Sequence, residues 1–499
     1  MMNKIIYLTI ALMGFAFLNA QTQKPNIVFI MVDDLGYGDV GFNGSTFYET
    51  PYLDQLAKES LVFDNSYAYP TCSPSRTAIF TGKQSFRTGV YTVPVLEKGD
   101  DKENIFSRWT VGREHPIYSE DLAKAGYKSI HIGKWHIVGP NPLVELKMKY
   151  PLKEKLGQPN PGEYDWVALH KSKAVQQYYP EGRGFIKNIG GTFRGDPAFE
   201  LGGYKSETKG YLAPFSNPFI EPKQGDEWLT DRLTDEAIGF IAENKREPFL
   251  INLNFYAVHN PILPRSKAAL EKYMNKAGDS ITGQGLGKRR QTMVEYATMV
   301  ESVDQNIKRI VDYLDQNNLR ENTMIIITSD NGHNEGPSTN NRLRNAKGYI
   351  YEGGIKVPTM INWPGKITAR RSEALISVLD FYPTFMEVAG IKNHKGVLDG
   401  NSLVGQFKSD SEFFNNRSLF WQLSSQYKHG TCTAVRKNQY KLIQFLADGK
   451  LELYDLSKDP LEAHNLADVN KEVMHSLLNE MVHWRQKNNV PLPPNAVVK

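Results

Sequence analysis

The sequence predicts an α/β protein: a large, mostly parallel sheet sandwiched by helices, followed by a smaller C-terminal subdomain of antiparallel sheet plus helix. Three observations support this prediction. Apolar runs of strand length alternate with amphipathic helical segments over most of the chain. A chain of 499 residues is too long for one ordinary core. After about Gly390 the pattern changes to short strands separated by turns, so we expect one domain over residues 24–395 and a subdomain over residues 396–499.

The first residues have the pattern of an export signal. Lys4 precedes the apolar run Ile5–Leu18, and Ala20 followed by Gln21 makes a cleavage point, so residues 1–20 are expected to be a signal peptide. This run is too short to span a membrane, and no later segment is long and apolar enough. We therefore expect an exported, periplasmic protein without a membrane anchor. A net charge of only +4 gives no nucleic-acid-binding footprint.

Continuous apolar runs define the strands of the large sheet, and amphipathic segments define its helices. Asn26–Val32 is typical of a fully buried parallel strand. Further strands are predicted at Leu61–Ala68, Tyr127–Trp135, Pro248–Ala257 and Thr323–Ser329. Helices are predicted at Leu53–Ser60, Tyr118–Gly126 and Trp228–Asn244, and from about Arg290 to Asn317, whose apolar stripe faces the core. In the subdomain, strands are predicted at 417–423, 432–436, 440–446 and 451–455, with a closing helix at Lys471–Lys487.

Polar side chains lie at the ends of four of these strands. The set is Asp33 and Asp34, Lys134 and His136, His259, and Asp330 and Asn331. Because parallel strands end at one edge of a sheet, these residues can converge where α/β proteins place ligands. Two simpler interpretations stay open, a strand-ending turn at Asp33–Asp34 and a solvated edge for Lys134 and His136.

The chemistry of this set favours a metal site. Three carboxylates and an amide oxygen are hard ligands, which suit Ca²⁺ or Mg²⁺, whereas zinc prefers more His or Cys. Lysine and histidine around them can balance a bound anion. The spacing therefore predicts a metal-dependent hydrolase of an anionic ester.

Cys72 lies at a predicted helix start. Ser73 is a good N-cap, Pro74 a good first helical residue, and Arg76 lies one turn from Cys72 if the helix includes both. Such a corner attracts anions and is expected to depress the pKa of the thiol. The alternatives are that Cys72 is a partly buried, inert thiol or that it forms a disulfide with Cys432. We expect Cys432 to be a buried strand residue instead.

From Gly139 to about Gly225 the chain loses periodicity and is rich in Pro, Gly, Tyr and basic residues. A long irregular stretch in a compact domain is usually functional, and we expect it to form a wall of the substrate pocket. The candidate substrate contacts are His170, Lys171, Arg183 and Arg194, although each could equally be a solvated surface charge.

Several motifs, in order, resemble the type I sulfatases of the alkaline phosphatase superfamily. The run from Cys72 to Arg76, followed by Thr81-Gly82, is similar to that family's C-x-P-x-R signature. Further similarities are Pro25 to Gly36, Gly133-Lys134-Trp135-His136, His259-Asn260-Pro261, Ser329 to Gly332, Lys347 ahead of Tyr351 to Pro358, and Tyr454-Asp455-Leu456 with Asp459-Pro460 and Asn465-Leu466. Lys356 stands where many members have Arg, a departure outside the chemistry. The resemblance covers nearly the whole mature chain.

The resemblance implies an alkaline phosphatase-like fold, a catalytic sulfatase domain over residues 24–395, and a mechanism. It implies that Cys72 is converted by a maturation enzyme to formylglycine, whose hydrated form attacks sulfur and passes through a covalent sulfate ester. Its implied metal is one Ca²⁺, in preference to Mg²⁺. The implied metal ligands are Asp33, Asp34, Asp330, Asn331 and residue 72, and the implied catalytic residues are Cys72, Arg76, Lys134, His136, His259 and Lys347. His136 would accept the proton of the second hydroxyl, and His259 or Lys347 would be the general acid.

The resemblance to bacterial members implies sulfated oligo- or polysaccharide substrates, such as ulvan, carrageenan or glycosaminoglycans. Two alternatives are open. One is phosphodiester, phosphonate or phosphomonoester hydrolysis on the same fold. The other is a sulfated-glycan-binding protein in which Cys72 is never converted.

Overall fold

The computed structural model describes residues 24–498, except 158–159, 161–162, 164, 199–209, 222, 224, 279–286, 337, 339–342 and 395, and only the backbone of 287–291. The predicted signal peptide, residues 1–20, lies outside the described residues. Within the described part of the chain, none of the helices combines the length and apolar character needed to cross a membrane.

An eight-stranded sheet forms the centre of the molecule. Its strands are β1 (Asn26–Val32), β2 (Leu61–Tyr67), β3 (Lys128–Gly133), β4 (Lys187–Ile189), β5 (Phe249–Phe255), β6 (Thr323–Ser329), β7 (Thr359–Asn362) and β8 (Arg370–Ser377). Their order is β4–β3–β5–β1–β6–β7–β2–β8. β7 runs antiparallel to both neighbours, and the other neighbouring pairs are parallel. The predicted mostly parallel sheet is therefore confirmed.

Helices cover both faces of this sheet. They are α1 (Pro51–Ala57), α2 (Cys72–Thr81), α3 (Ser85–Thr88), α4 (Tyr118–Lys124), α5 (Pro142–Glu145), α6 (Trp166–Lys171), α7 (Lys173–Gln176), α8 (Leu229–Asn244), α9 (Lys267–Ala277), α10 (Gly287–Gln316), α11 (Glu352–Ile355) and α12 (Phe381–Val388). Helices α2, α4 and α12 lie on one face, and α1, α8, α9 and α10 on the other.

The alternation of β1 explains how both faces are filled. Ile27, Phe29 and Met31 belong to the core under α2 and α12. Val28, Ile30 and Val32 belong to the core under α8 and α10. Since successive side chains point to opposite faces, a strand buried on both faces must be apolar throughout, which is why the sequence predicted its limits correctly.

A second sheet of four antiparallel strands follows, in the order β12–β11–β10–β9. The strands are β9 (Ser418–Leu423), β10 (Cys432–Lys437), β11 (Tyr440–Phe445) and β12 (Leu451–Asp455), preceded by α13 (Glu412–Asn416) and followed by α14 (Lys471–Asn488). Val435, Leu442 and Leu453 pack against Leu477 and Met481 of α14. The antiparallel sheet and closing helix were predicted, whereas the domain limit at 395/396 stays a prediction.

Two local predictions were wrong. The helix after β2 begins at Cys72 with Thr71 as N-cap, so Ser73 and Pro74 lie inside its first turn rather than at its start. β3 ends at Gly133, so Lys134 and His136 do not share a strand face; they lie in the following loop, where His136 has a φ of +57°. The positive φ of Gly133 and His136 turns the chain, so Lys134 and His136 reach the same site by a different path.

Candidate active site

The site begins where β1 ends. Val32 pairs with Phe255 of β5 and with Ser329 of β6, so Asp33, Asp34 and Asp330 leave the sheet at one level. The Asp33 backbone is tied to the next loop, since its N–H donates to the Ala257 carbonyl at 2.9 Å and its carbonyl accepts from the Val258 N–H at 2.7 Å. Asp34 then adopts a left-handed φ of +59°, which an Asp tolerates better than most residues.

Three carboxylates form a compact buried cluster. One oxygen each from Asp33, Asp34 and Asp330 lies within 4.8 Å of the others, and all three side chains are fully buried. Buried charges require partners, and each carboxylate has a cation. These contacts are Lys134 Nζ to Asp33 Oδ2 at 2.6 Å, Lys347 Nζ to Asp34 Oδ1 at 2.6 Å, and Arg76 Nη2 to Asp330 Oδ2 at 2.8 Å.

The pKa values within the cluster diverge. Burial, with Asp330 close by, raises the pKa of Asp33 well above its ordinary value. Burial would also raise the pKa of Asp34, but Lys347 and His259 outweigh it and hold that pKa low. For Lys347 burial is outweighed by Asp34, which raises its pKa and keeps the ammonium charged. The cluster therefore contains a permanently charged pair, the ammonium of Lys347 and the carboxylate of Asp34.

Unpartnered oxygens in the cluster identify a position for a metal ion. Asp33 Oδ1, Asp34 Oδ2 and Asn331 Oδ1 are buried and have no hydrogen-bond partner in the described part of the chain. The Asn331 amide is oriented by its own donor group, which donates to Asp34 Oδ1 at 2.7 Å and to the Gly332 carbonyl at 2.8 Å. Carboxylate and amide oxygens without partners fit a Ca²⁺ or Mg²⁺ ion.

Cys72 lies beside this cluster at the first residue of α2, and only 2% of it is exposed. Arg76, one turn further on, donates from Nε to Asp330 Oδ2 at 2.9 Å and from Nη1 to the Lys134 carbonyl at 2.9 Å. The expected depression of the thiol pKa was wrong. Burial raises the pKa of Cys72, with Asp330 and Asp33 adding to the effect, although Lys134 and Lys347 oppose it. Both cysteines are free, so the structure does not contain the alternative disulfide.

Two histidines line the same pocket as Cys72. The Ser73 hydroxyl is 3.5 Å from His136 Nδ1, and His259 Nε2 is 3.8 Å from Asp34 Oδ2. His259 Nδ1 lies 2.7 Å from the Asn260 carbonyl, an acceptor, so this nitrogen carries the proton and Nε2 faces the site with a lone pair. Burial and neighbouring cations lower the pKa of His259 to about 3 and that of His136 well below its ordinary value, so both rings are neutral bases.

A pocket of about 200 Å³ opens above these groups. It contains Cys72, His136, His259 and Lys347, and its other lining residues are Val93, Val95, Leu96, Trp109, Phe193, Arg194, Gly195 and Asp196. The first four residues were named as site candidates from the sequence, but among the other lining residues only Arg194 was named. In the sequence, the apolar lining residues cannot be distinguished from core residues. Asp196 could have been predicted as a candidate substrate contact, because it lies two residues after Arg194 in the same irregular stretch.

The structure separates the four candidate substrate contacts. Arg194 lines the pocket. Arg183 is buried and bound to the His115 carbonyl and Glu120, and His170 packs against the rings of Tyr179 and Phe193. Lys171 is exposed at the end of α6. Arg183 and His170 are therefore packing residues, since neither presents a polar group to the pocket.

Comparison with known proteins identifies the class. The sulfatase family model matches residues 25–391, and the model of the C-terminal region of N-sulphoglucosamine sulphohydrolase matches residues 345–487. The chain therefore belongs to the sulfatase family, with its alkaline phosphatase-like fold, and is a sulfuric ester hydrolase.

Individual relatives resemble the chain over almost its whole length. It is 30% identical to a sulfatase of Formosa agariphila over 94% of this chain and 90% of that protein. It is 30% identical to the N-acetylgalactosamine-6-sulfatase of Homo sapiens over 95% of this chain and 88% of that protein. The crystal structure of Ps i-CgsB in complex with k-i-k-neocarrahexaose has a TM-score of 0.71 and 27% identity, over 96% of this chain and 95% of that chain.

Proposed function

We propose that this sulfatase hydrolyses sulfate monoesters on carbohydrates, using a formylglycine made from Cys72 and a bound Ca²⁺. The observation that carries the proposal is the position of Cys72, beside a cluster with three buried oxygens that lack a hydrogen-bond partner among the described residues. Cys72 also lines a pocket with Lys347 and two neutral histidines. The names of the relatives, an N-acetylgalactosamine-6-sulfatase and a protein in complex with k-i-k-neocarrahexaose, support carbohydrate as the substrate class.

The residues present fit the metal and the modified side chain. Asp33, Asp34, Asp330 and Asn331 would hold the ion, together with the side chain at position 72. When bound, the ion supplies positive charge for the sulfuryl oxygens and lowers the pKa of a coordinated hydroxyl. A thiolate does not suit this position, because burial, with a contribution from Asp330 and Asp33, raises the pKa of Cys72. The neutral diol of a hydrated aldehyde carries no charge for these carboxylates to repel.

Individual roles follow from charge and position. Lys134 and Lys347 are buried ammonium groups that would bind the sulfate and stabilise charge on the departing alkoxide, the largest single contribution in such reactions. Lys347 keeps its proton because Asp34 raises its pKa, so of the two general-acid candidates it is the one that is protonated at neutral pH. His259 is neutral and presents a lone pair at Nε2, so it accepts a hydrogen bond more readily than it donates one.

Two residues would act on the modified side chain itself. His136 is neutral, lies next to Cys72 and would remove the proton whose loss releases sulfate. Arg76 is bound to Asp330 and to the Lys134 carbonyl, so it would fix the distance between α2 and the end of β6. Its guanidinium is fully buried and would position the site rather than transfer a proton.

Export and maturation would precede activity. Export through the signal sequence at residues 1–20 would place the enzyme in the periplasm with sulfated polysaccharides such as ulvan, carrageenan or glycosaminoglycans. A formylglycine-generating enzyme would be a necessary partner before folding, because only 2% of Cys72 is exposed in the folded protein and an oxidase could not reach it.

The proposal is tested by parallel assays of the full chain on the sulfate and phosphate esters of one aryl alcohol, with and without EDTA. We expect turnover of the sulfate ester, loss in EDTA and recovery with Ca²⁺. Lys347→Met should lower kcat/KM by about 10²- to 10³-fold, the cost of one preorganised donor. A clear preference for the phosphate ester would support the phosphohydrolase alternative. Turnover of neither ester, with only an unmodified thiol at residue 72 in protein from a host that matures such enzymes, would support the binding-protein alternative.

A further inference from the structure

The segment Thr192–Asp196 connects the pocket wall to the catalytic machinery. The His136 N–H donates to the Thr192 carbonyl at 3.3 Å, and the Arg194 N–H donates to Thr192 Oγ1 at 3.0 Å. Gly195 lies directly on the His136 ring, since a Cβ there would be 2.7 Å from His136 Cε1. The backbone of this segment is therefore fixed against the base, and its side chains have a defined position in the pocket.

Two of those side chains form an ion pair at the pocket rather than on the outer surface. Arg194 Nη2 lies 2.8 Å from Asp196 Oδ2, with 24% and 29% of the side chains exposed. Arg194 Nε is buried and has no hydrogen-bond partner among the described residues. A partly exposed ion pair contributes only about 0–1 kcal/mol to stability, so its contribution to stability does not explain its position. The pair places a hydrogen-bond donor and a hydrogen-bond acceptor side by side at the pocket.

The rest of the wall is apolar. Val93, Leu96, Trp109 and Phe193 line the same pocket. Its volume of about 200 Å³ lies below the roughly 300–1,000 Å³ of pockets that enclose drug-sized ligands. A single sugar ring matches this combination, because it has an apolar C–H face, a ring of hydroxyl groups and a small volume.

We propose that Arg194 and Asp196 are specificity-determining residues that bind adjacent hydroxyl groups of one sugar residue, the residue that carries the sulfate and has no carboxylate. Arg194 donates to one hydroxyl oxygen, and Asp196 accepts from the other hydroxyl. Asp196 also disfavours a uronic acid, because its carboxylate repels a second carboxylate at short distance. This inference rests on the proposed carbohydrate sulfatase function and specifies the part of the substrate that is recognised.

The test compares two kinds of substrate in the full-length, matured enzyme. Sulfated monosaccharides, both neutral hexose or N-acetylhexosamine sulfates and uronic acid sulfates, offer hydroxyl pairs, whereas an aryl sulfate offers none. Asp196→Asn and Arg194→Gln should lower kcat/KM for the neutral sugar sulfates by about 10- to 100-fold, mainly through KM, because each removes a charge-assisted hydrogen bond. Both variants should change aryl sulfate turnover by less than about threefold.

Asp235→Asn is the matched control, since Asp235 forms an exposed ion pair with Arg309 on the outer surface. It should leave both substrate classes unchanged. Equal losses on sugar and aryl sulfates in the Arg194 and Asp196 variants would show a role in holding His136 and would overturn the inference. So would undiminished sugar turnover, a preference for uronic acid sulfates, or turnover of the aryl ester but of no monosaccharide sulfate. Turnover of no sulfate ester by the wild type would overturn the proposed function itself.

Discussion

Replacing Asp33 with Asn should abolish the stabilisation that Ca²⁺ gives to the folded protein. Asp33 Oδ2 accepts from Lys134 Nζ at 2.6 Å, and Oδ1 is one of the oxygens without a hydrogen-bond partner. Asparagine has the same shape, but it removes the negative charge and presents an amide that can orient only one oxygen. The variant therefore changes the charge of the metal site while leaving its volume unchanged.

The magnitude follows from linkage. A ligand that binds only the folded state at about 100 times its Kd adds about 2.7 kcal/mol of stability, so the wild type should gain that amount at such a Ca²⁺ concentration. Without metal, Asp33→Asn should change stability by less than about 1.5 kcal/mol, because burial beside Asp330 disfavours the Asp33 charge and offsets its contact with Lys134. Adding Ca²⁺ should then add almost nothing to the stability of the variant.

The assay is urea unfolding of EDTA-treated full-length protein, followed by tryptophan fluorescence with and without added Ca²⁺ or Mg²⁺. Asp380→Asn is the matched control, because Asp380 is also fully buried and paired, but with Arg417, far along the chain from the cluster. This control should be destabilised and should retain the full Ca²⁺ increment. An equal increment in Asp33→Asn and wild type, or no increment in the wild type, would refute the assignment of the metal site.

Three further predictions concern stability elsewhere in the molecule. Lys441 is fully buried between Glu352 at 2.9 Å and Glu462 at 2.7 Å. Lys441→Met should lower the free energy of unfolding in urea by about 3–5 kcal/mol, because both carboxylates stay buried without their ammonium partner. A loss below about 1 kcal/mol would contradict this prediction. Burial lowers the pKa of His131 to about 3, so the unfolded state binds the proton first and stability falls as pH drops through the unfolded value. Between about pH 8 and pH 5 this should cost about 2 kcal/mol, and His131→Gln should show a shallower loss. Gly239 lies exposed in α8 with open space at its Cβ position, so Gly239→Ala should raise the free energy of unfolding by about 0.5–1 kcal/mol, and a decrease would contradict the packing described.

The sequence predicted the long strands that are buried on both faces better than the short or charged strands. β1 and β6 were predicted to the residue, because both are buried on two faces and are therefore apolar runs with clear ends. β7 and β8 were not predicted. β7 has only four residues, and β8 begins with Arg370 and Arg371, whose charges conceal an edge strand that becomes apolar only from Ala374.

The sequence predicted the part of the site that directly follows the parallel strands. Residues that follow β1, β5 and β6 must converge, and the structure brings Asp33, His259 and Asp330 together. Lys347 follows no strand, so only the family resemblance indicated it. The direction of the Cys72 pKa shift was predicted wrongly, because the helix start and Arg76 are visible in the sequence whereas complete burial beside three carboxylates is not.

The most direct test of the account is mass spectrometry of the peptide that contains residue 72, taken from enzyme of measured specific activity. We predict an aldehyde at position 72 in a fraction that rises in proportion to activity, and a Cys72→Ala variant that is folded but inactive. Full activity from protein in which residue 72 is entirely an unmodified thiol, or retained turnover in Cys72→Ala, would contradict it.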